Sequence, residues 1–275
     1  MSPNRSVPEA LGRLIARAVA VDGQPPFSDQ TLVEFARGER ELLEVDGGAA
    51  IVGVGVREVE LVVDPDARGR GVGTTLAARV VTEHPEVVFA WAHGDHPASR
   101  ALAARFGFEA VRTLLQLRAR LDTPPSAPPG QRGHITPFRP GIDDTEWLAL
   151  NARVFAQHPE QGKLTQRDLD DRKAEPWFDA EDFLILRDGE TMVGFCWLKV
   201  DGDIGEFYAV GVDPERQGEG LGRVLMDAGF ARLATRGIRT AALYVEADNA
   251  PALPLYPRYG FEQHTIDVQY RRTTR

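Results

Sequence analysis

The chain has 275 residues, 43% of them apolar and 27% charged, with a net charge of −9. That composition fits a soluble globular protein of one large domain or two ordinary ones, and the negative charge argues against a nucleic-acid partner. No run reaches the roughly 18 apolar residues of a membrane helix, and charges interrupt the apolar N-terminal positions, so the expected location is cytoplasmic with no membrane partner. The single cysteine, Cys196, excludes an internal disulfide and a cysteine-cluster metal site, so no metal is expected. Set in "MVGFCWLKV", it reads as a buried, inert thiol.

Along the chain, "LLEV" (42–45), "AAIVGVGV" (49–56) and "VELVV" (59–63) read as strands. They lead into a glycine turn, "VDPDARGRGVG" (63–73), and a helix. A further strand, "VVFAWAH" (87–93), a short helix and a strand after Gly107-Phe108 complete this half. Residues 123–132, "TPPSAPPGQR", read as a semi-rigid proline-rich linker. The order then repeats. "FLILRD" (183–188), "MVGFCWLKV" (192–200) and "EFYAVGV" (206–212) precede a second turn, "VDPERQGEGLG" (212–222). The next helix keeps Leu221, Val224, Leu225, Ala228 and Ala231 on one face. The strand "TAALYVEA" (240–247), a short helix and a strand after Gly260-Phe261 follow. The turns match at a shift of 149 residues and the Gly-Phe pairs at 153. Consecutive strands ahead of each helix imply antiparallel pairing, so each half is expected to be a mixed α/β (α+β-like) sheet flanked by helices. The expected domains are 1–122 and 133–275.

A glycine turn between strand and helix presents unpaired N–H groups at the positive end of a helix dipole, which suits an anion. No Lys-Ser/Thr pair follows the glycines, which excludes a Walker loop, and the spacing does not make a dinucleotide fingerprint. The shared pattern is Arg68-x-x-Gly71-x-Gly73 and Gln217-x-x-Gly220-x-Gly222. It resembles the acyl-CoA signature of the GNAT N-acetyltransferases, where this turn cradles the pyrophosphate of coenzyme A.

That resemblance implies two tandem GNAT domains, acetyl-CoA as cosubstrate, a small-molecule amine as acceptor, and a monomer. In the second half it assigns the coenzyme to Val210, Gly211 and Val212, whose backbone would pair with the pantetheine arm, and to Gln217, Gly218, Glu219, Gly220, Leu221, Gly222 and Arg223. Asn249 would cap the short helix and touch the same arm. In the first half the matching positions are Leu61, Val62 and Val63, then Arg68, Gly69, Arg70, Gly71, Val72, Gly73 and Thr74.

Acetyl transfer to an amine needs a mild base, a polarised thioester carbonyl and a proton for the leaving thiolate. Glu206, just upstream of the second turn, is the candidate base or amine anchor. Tyr256 is the candidate acid, because the family pattern "DN…Y…GF" puts the acid there. Pro251, Pro254 and Pro257 crowd that short helix, and Pro257 should kink it.

The strings "HPEQG", "GFCWLKV" and "LYVEADN" narrow the resemblance to tandem GNAT enzymes that acetylate the cysteine amine of cysteinyl-glucosaminyl-inositol. On those strings Glu160, Lys199, Glu206 and Tyr244 become acceptor contacts, with Asp29 in the matching acidic position of the first half. An acceptor rich in hydroxyls with one ammonium suits carboxylates, a phenol and an ammonium donor. A gapless count aligns Arg57 with Glu206, and the shift of 153 aligns His96 and Ala103 with Asn249 and Tyr256. The first half is therefore expected to hold coenzyme without catalysing. Two other readings stay open: a GNAT enzyme for a different amine, such as a protein N-terminus, and a non-catalytic acyl-CoA sensor.

Overall fold

The computed structural model describes residues 7–121, 134–156, 161–250 and 252–273. The expected linker, Glu160 and Pro251 lie outside them. Two compact units are present: Met1–Gln116 with Val245–Asn249 and Gln263–Arg275, and Leu117–Tyr244 with Ala250–Glu262.

The first half opens with α1 (Glu9–Asp22) and α2 (Asp29–Ala36), then β1 (Glu41–Val45), β2 (Gly48–Gly53) and β3 (Glu58–Val63). After the turn come α3 (Val72–Glu83), β4 (Phe89–His93), α4 (Pro97–Arg105) and β5 (Phe108–Arg120). Strands β1, β2 and β3 pair antiparallel in succession, and β4 joins β3 in parallel. β2 ends at Gly53, sooner than its apolar run suggests, because Val54–Arg57 turns the chain and Arg57 is left-handed at φ 59°.

The second half repeats the plan with β6 (His134–Pro137), α5 (Asp144–Val154), α6 (Gln166–Lys173), β7 (Phe183–Asp188), β8 (Thr191–Asp201) and β9 (Ile204–Val212). Helix α7 (Leu221–Thr235) and β10 (Thr240–Glu246) follow, and β11 (Glu262–Arg272) is the last strand. β6 to β9 are antiparallel neighbours in succession, and β10 runs parallel to β9. A mixed sheet in each half agrees with the sequence reading.

Repetition reaches single contacts. Arg17 of α1 bonds Asp64 at 2.9 Å, and Arg153 of α5 bonds Asp213 at 2.6 Å, so each half ties a helix to the aspartate that opens its turn. Those aspartates also accept from the backbone two residues on, at 2.9 and 3.1 Å, which shapes the turn before the glycines.

The sequence reading did not anticipate the partner of β11. It pairs antiparallel with β4, from Asp267 opposite His93 to Arg271 opposite Phe89. Val268 and Tyr270 thereby bury against Ala103 and Phe108 in the first unit. The second unit's core is aromatic, with Trp147 edge-on to Phe183, Phe195 and Trp197, all fully buried. Truncating such a ring to alanine typically costs about 3–5 kcal/mol, so this cluster is a rigid floor for whatever lies above it. No helix among the described residues is long and apolar enough to cross a membrane.

Candidate functional site

One residue of mismatch shapes the second unit. Trp197 of β8 lies opposite Ala209, but Leu198 lies opposite Phe207, leaving Tyr208 as a bulge. A Cβ added to Gly205 would meet Leu233 of α7, whereas one added to Gly211 would meet Val154 of α5. Six residues along a regular strand keep the same face, so the bulge turns the second half of β9 over. The parallel ladder to β10 runs only through Ile204–Thr240, Gly205–Ala241 and Glu206–Ala242. Beyond Glu206 the two strands have no register pairs among the described residues. The backbone of Val210, Gly211 and Val212 therefore lies along an edge that an extended ligand arm can pair with.

On the face opposite α7 the sheet gathers the expected acceptor contacts. Lys199 is the direct cross-strand neighbour of Glu206. Tyr244 stands two residues beyond Ala242, the parallel partner of Glu206, so it shares that face. It is 44% exposed, open enough to meet a ligand. Two residues that the sequence reading missed join them. Tyr208 packs on Trp177 at 5.3 Å, and its hydroxyl accepts from Arg172 Nε at 2.8 Å. The ammonium of Lys199 rests 5.6 Å from the Trp177 ring centroid. Such a cation–π contact is worth about 0.5–2 kcal/mol, against about 0.2–1 kcal/mol for opposite charges across a strand pair, so the indole can outcompete Glu206 for this ammonium. Trp177 lies 29 positions before Glu206, and no short motif links them.

The second turn has the open geometry that an anion site needs. Gly218 and Gly220 both adopt φ +82°, and a side chain at Gly218, Gly220 or Gly222 would point into open space. Gly220 caps α7 with no side-chain hydrogen bond, and no acidic residue occupies the helix's first turn. The N–H groups of Gly220, Leu221 and Gly222 thus open a helix whose first turn holds no carboxylate, the arrangement that draws a phosphate. Gln217, Gly218 and Glu219 form the approach to it.

The two tyrosines of the last turn separate clearly. Tyr259 donates to Asp227 Oδ1 at 2.7 Å and stacks on Phe230, and burial with this carboxylate pushes its phenol up. The Tyr256 hydroxyl makes no hydrogen bond among the described residues, and its ring meets Phe261 edge-on at 5.9 Å. Burial raises its phenol to about 12, so it stays protonated across the working range. The segment Leu253–Tyr259 is a 3₁₀ helix, where the matching α4 is α-helical. Pro257 has no N–H, and the tighter bonds Leu255 N to Ala252 O and Gly260 N to Pro257 O, 3.0 and 3.1 Å, replace the α pattern. That helix begins after Ala252, three residues beyond Asn249. Cys196 is fully buried, and burial pushes its thiol up, which makes it inert.

The gapless count that gave Arg57 is corrected by the register. Val63 faces Gly48 and Val212 faces Gly194; five residues along β2 and β8 stand Gly53 and Lys199, and their partners are Glu58 and Glu206. The bulge supplies the extra residue that misled the count. The first half therefore keeps a carboxylate at the base position, but Glu58 is held by Arg40 at 3.1 Å and Trp91 Nε1 at 2.9 Å. His96 does cap α4, accepting from Ala98 N at 3.1 Å, so the cap is present there too. At the acid position Ala103 is a buried methyl.

A cavity of ≈ 510 Å³ opens in the first unit beside Leu61, Val62, Val63, Arg68, Gly69, Gly71, Val72, Gly73 and Thr74. Ala103, at the place that Tyr256 takes in the second half, lines this cavity and offers no proton. Gly69 and Gly71 adopt φ +74° and +87°, matching the second turn. Arg68 is doubly bonded to Asp22, both contacts at 2.7 Å, which ties this turn to a carboxylate at the end of α1, whereas in the second turn Arg216 bonds Glu219 of the turn itself. Arg70 lies exposed between the glycines. Asp29 is the first residue of α2, exposed, next to the Ser28 cap.

Comparison with known proteins agrees with this duplication. The acetyltransferase (GNAT) family matches residues 28–108 and 147–261. The chain belongs to the GNAT acetyltransferases, enzymes that use acetyl-CoA, and its tandem segments are both of that kind. More narrowly, it is 45% identical over 289 residues to the mycothiol acetyltransferase of Kocuria rhizophila, covering 96% of this chain and 95% of that protein. The mycothiol acetyltransferase of Clavibacter michiganensis subsp. michiganensis is 47% identical over 286 residues, covering 99% and 94%. In fold the chain resembles a GCN5-related N-acetyltransferase from Sphaerobacter thermophilus, with TM-score 0.73, 23% identity and 96% and 91% of the two chains covered. It also resembles a tandem GNAT protein of the clavulanic acid biosynthesis pathway, with TM-score 0.67, 18% identity and coverage of 94% and 92%.

Proposed function

We propose that the second half transfers acetyl from acetyl-CoA to the cysteine amine of cysteinyl-glucosaminyl-inositol, forming mycothiol. The observation that carries the reading is the bulge at Tyr208, which ends the β9–β10 ladder at Glu206. It puts a carboxylate at the point where an arm lying along Val210–Val212 would present its thioester. The names of the relatives support the acceptor.

Acetyl-CoA supplies the activated acyl group. Glu206, directly or through one water, takes the proton of an ammonium whose pKa is about 8, so a weak base suffices. A bulge leaves part of the β9 backbone outside the ladder, and an N–H there can polarise the thioester carbonyl. Tyr256 gives its proton to the departing sulfur; with its phenol near 12 it does so as the C–S bond breaks, not before. The open turn at Gln217–Arg223 holds the pyrophosphate, with Asn249 nearby in sequence as a further arm contact. Lys199 and Tyr244, with Glu160 and Asp29, take the acceptor's hydroxyls and ammonium. The first half holds coenzyme at Leu61–Val63 and Arg68–Thr74 without turnover. The protein works as a cytoplasmic monomer with no nucleic-acid or membrane partner.

The test is release of free thiol from acetyl-CoA over a panel of amines including cysteinyl-glucosaminyl-inositol, with product mass. Acetylation of that amine in clear preference to peptide N-termini is expected. Binding of acetyl-CoA with no thiol released by any amine would point to a sensor instead.

A further inference from the structure

Lys199 and Glu206 stand directly opposite each other on one face of β8 and β9. Neighbours of opposite charge in that relation normally pair. Here the Lys199 ammonium lies over the Trp177 ring, 5.6 Å from its centroid, and makes no ion pair among the described residues. The indole is itself fixed, with Trp197 at 5.9 Å and Tyr208 at 5.3 Å. Tyr208 is in turn held through its hydroxyl by Arg172 at 2.8 Å. Tyr208 is also the bulge residue, so the seat of the ammonium and the parting of the strands share one side chain.

We propose that Trp177 is a positioning residue whose ring holds the Lys199 ammonium off Glu206. An ion pair in the default geometry would lower the basicity of the carboxylate and fill the place of the incoming ammonium. Drawn onto the indole, Lys199 keeps its donors for acceptor hydroxyls and does not compete with the amine at Glu206. The inference rests on Glu206 serving the acceptor amine.

The experiment is a double-mutant cycle between Trp177 and Lys199, read in two ways. In kinetics, Trp177→Leu should lower kcat/KM for the acceptor about tenfold with the acetyl-CoA Kd unchanged. Trp177→Phe, which keeps a ring face, should recover most of that loss. In a Lys199→Met background, Trp177→Leu should cost less than twofold more, because no ammonium remains to fall onto Glu206. The second readout needs no activity and uses urea unfolding of the same four proteins. The loss from Trp177→Leu should be about threefold larger in equilibrium constant with Lys199 present than in the Lys199→Met background, as a cation–π contact requires. Additive kinetic effects, or equal unfolding losses in both backgrounds, would overturn the proposal. An inactive wild type with intact unfolding coupling would instead count against the acceptor reading, leaving the Trp177–Lys199 contact standing.

Discussion

Strand β3 meets β2 in unbroken register from Val63 to Glu58, whereas β9 slips one residue against β8 at Tyr208. The consequence appears on the other edge of each strand. In the second half the parallel ladder stops at Glu206; in the first it starts at the equivalent Glu58 and runs on through Val59 and Glu60. A slot that begins at Glu206 in one copy is closed for two further residues in the other. Both copies keep the strand edge next to the turn and the left-handed glycines. What separates them is one inserted residue, one tyrosine for Ala103, and an arginine over the carboxylate. On the proposed reading, duplication preserved the anion turn in both copies and left the chemistry to one.

The sharpest way to break this comparison is to block each turn in the same manner. Gly220 and Gly71 have φ of +82° and +87° and open space around them, so glutamate brings equal backbone strain and equal charge to either site. Gly220→Glu should reduce thiol release below detection, at least about 10³-fold, by repelling the pyrophosphate at a helix N-terminus. Gly71→Glu should leave kcat within about twofold, since the first half has Ala103 at the place of the proposed acid and its Glu58 is held by Arg40 and Trp91. A folded Gly71→Glu protein without activity would reverse the assignment of the working half.

Next in size is the acid. Tyr256→Phe keeps the edge contact with Phe261 and removes only the hydroxyl. It should cut kcat by roughly 10²-fold or more with acetyl-CoA affinity unchanged. Because Ala103 cannot substitute, activity should fall across the whole protein and not to half. Tyr259→Phe is the control: its hydroxyl is spent on Asp227, so kcat should hold while thermal stability drops. Equal kcat in Tyr256→Phe and wild type would remove the acid from this segment.

A smaller effect distinguishes the slots themselves. With the second turn blocked by Gly220→Glu, calorimetry should find one remaining coenzyme site in the first half. Its ladder runs on through Glu60, so it should meet the pantetheine and pyrophosphate but have no slot for the acyl end. Coenzyme A and acetyl-CoA should then bind within about twofold of each other. A tenfold preference for acetyl-CoA, about 1.4 kcal/mol, would mean the thioester is gripped there after all.

Much of this was legible in the chain. Strand order, both turns, the helix face at Leu221 and Leu225, and the two Gly-Phe pairs follow from local period and from glycine chemistry, which act over a few residues. Lys199 and Tyr244 were legible only through the family strings, and the register then puts them on one face with Glu206. What stayed hidden depends on partners far away. A bulge is a property of two strands, so Tyr208 looks like any strand tyrosine, and a gapless count then paired Glu206 with a turn arginine instead of Glu58. Trp177 reaches the site only because the aromatic floor under β8 brings it there. The pairing of β11 with β4 joins residues more than 170 apart, and no local signal encodes it.

The last comparison concerns how β11 is held in the first unit. Asp267 of β11 lies 3.0 Å from His93 Nδ1, and Glu60 lies 3.6 Å from His93 Nε2, too long for a hydrogen bond but within reach of an ion pair. Glu60 is 2% exposed and also accepts from Ser28 and Thr31, so its charge is well satisfied and holds the start of α2. Burial alone would discharge the imidazole, but the hydrogen bond to Asp267 and the charges of Asp267 and Glu60 outweigh it and raise His93 from 6.5 to about 10. A folded pKa above the unfolded one stabilises the fold fully below pH about 6.5, and that stability is lost as pH rises through about 10. The second half has Glu246 at the matching place in β10 and no such triad among its described residues. Thermal unfolding of the wild type should therefore fall by at least about 4 °C between pH 6.5 and 10, the shift that about 1 kcal/mol makes in a unit of this size. His93→Gln should be less stable at pH 6.5 and show a flatter slope over that interval, while acetyl-CoA affinity at the second turn stays the same. Parallel slopes for the two proteins would show that His93 is neutral in the folded state and that its two carboxylates are held by other means.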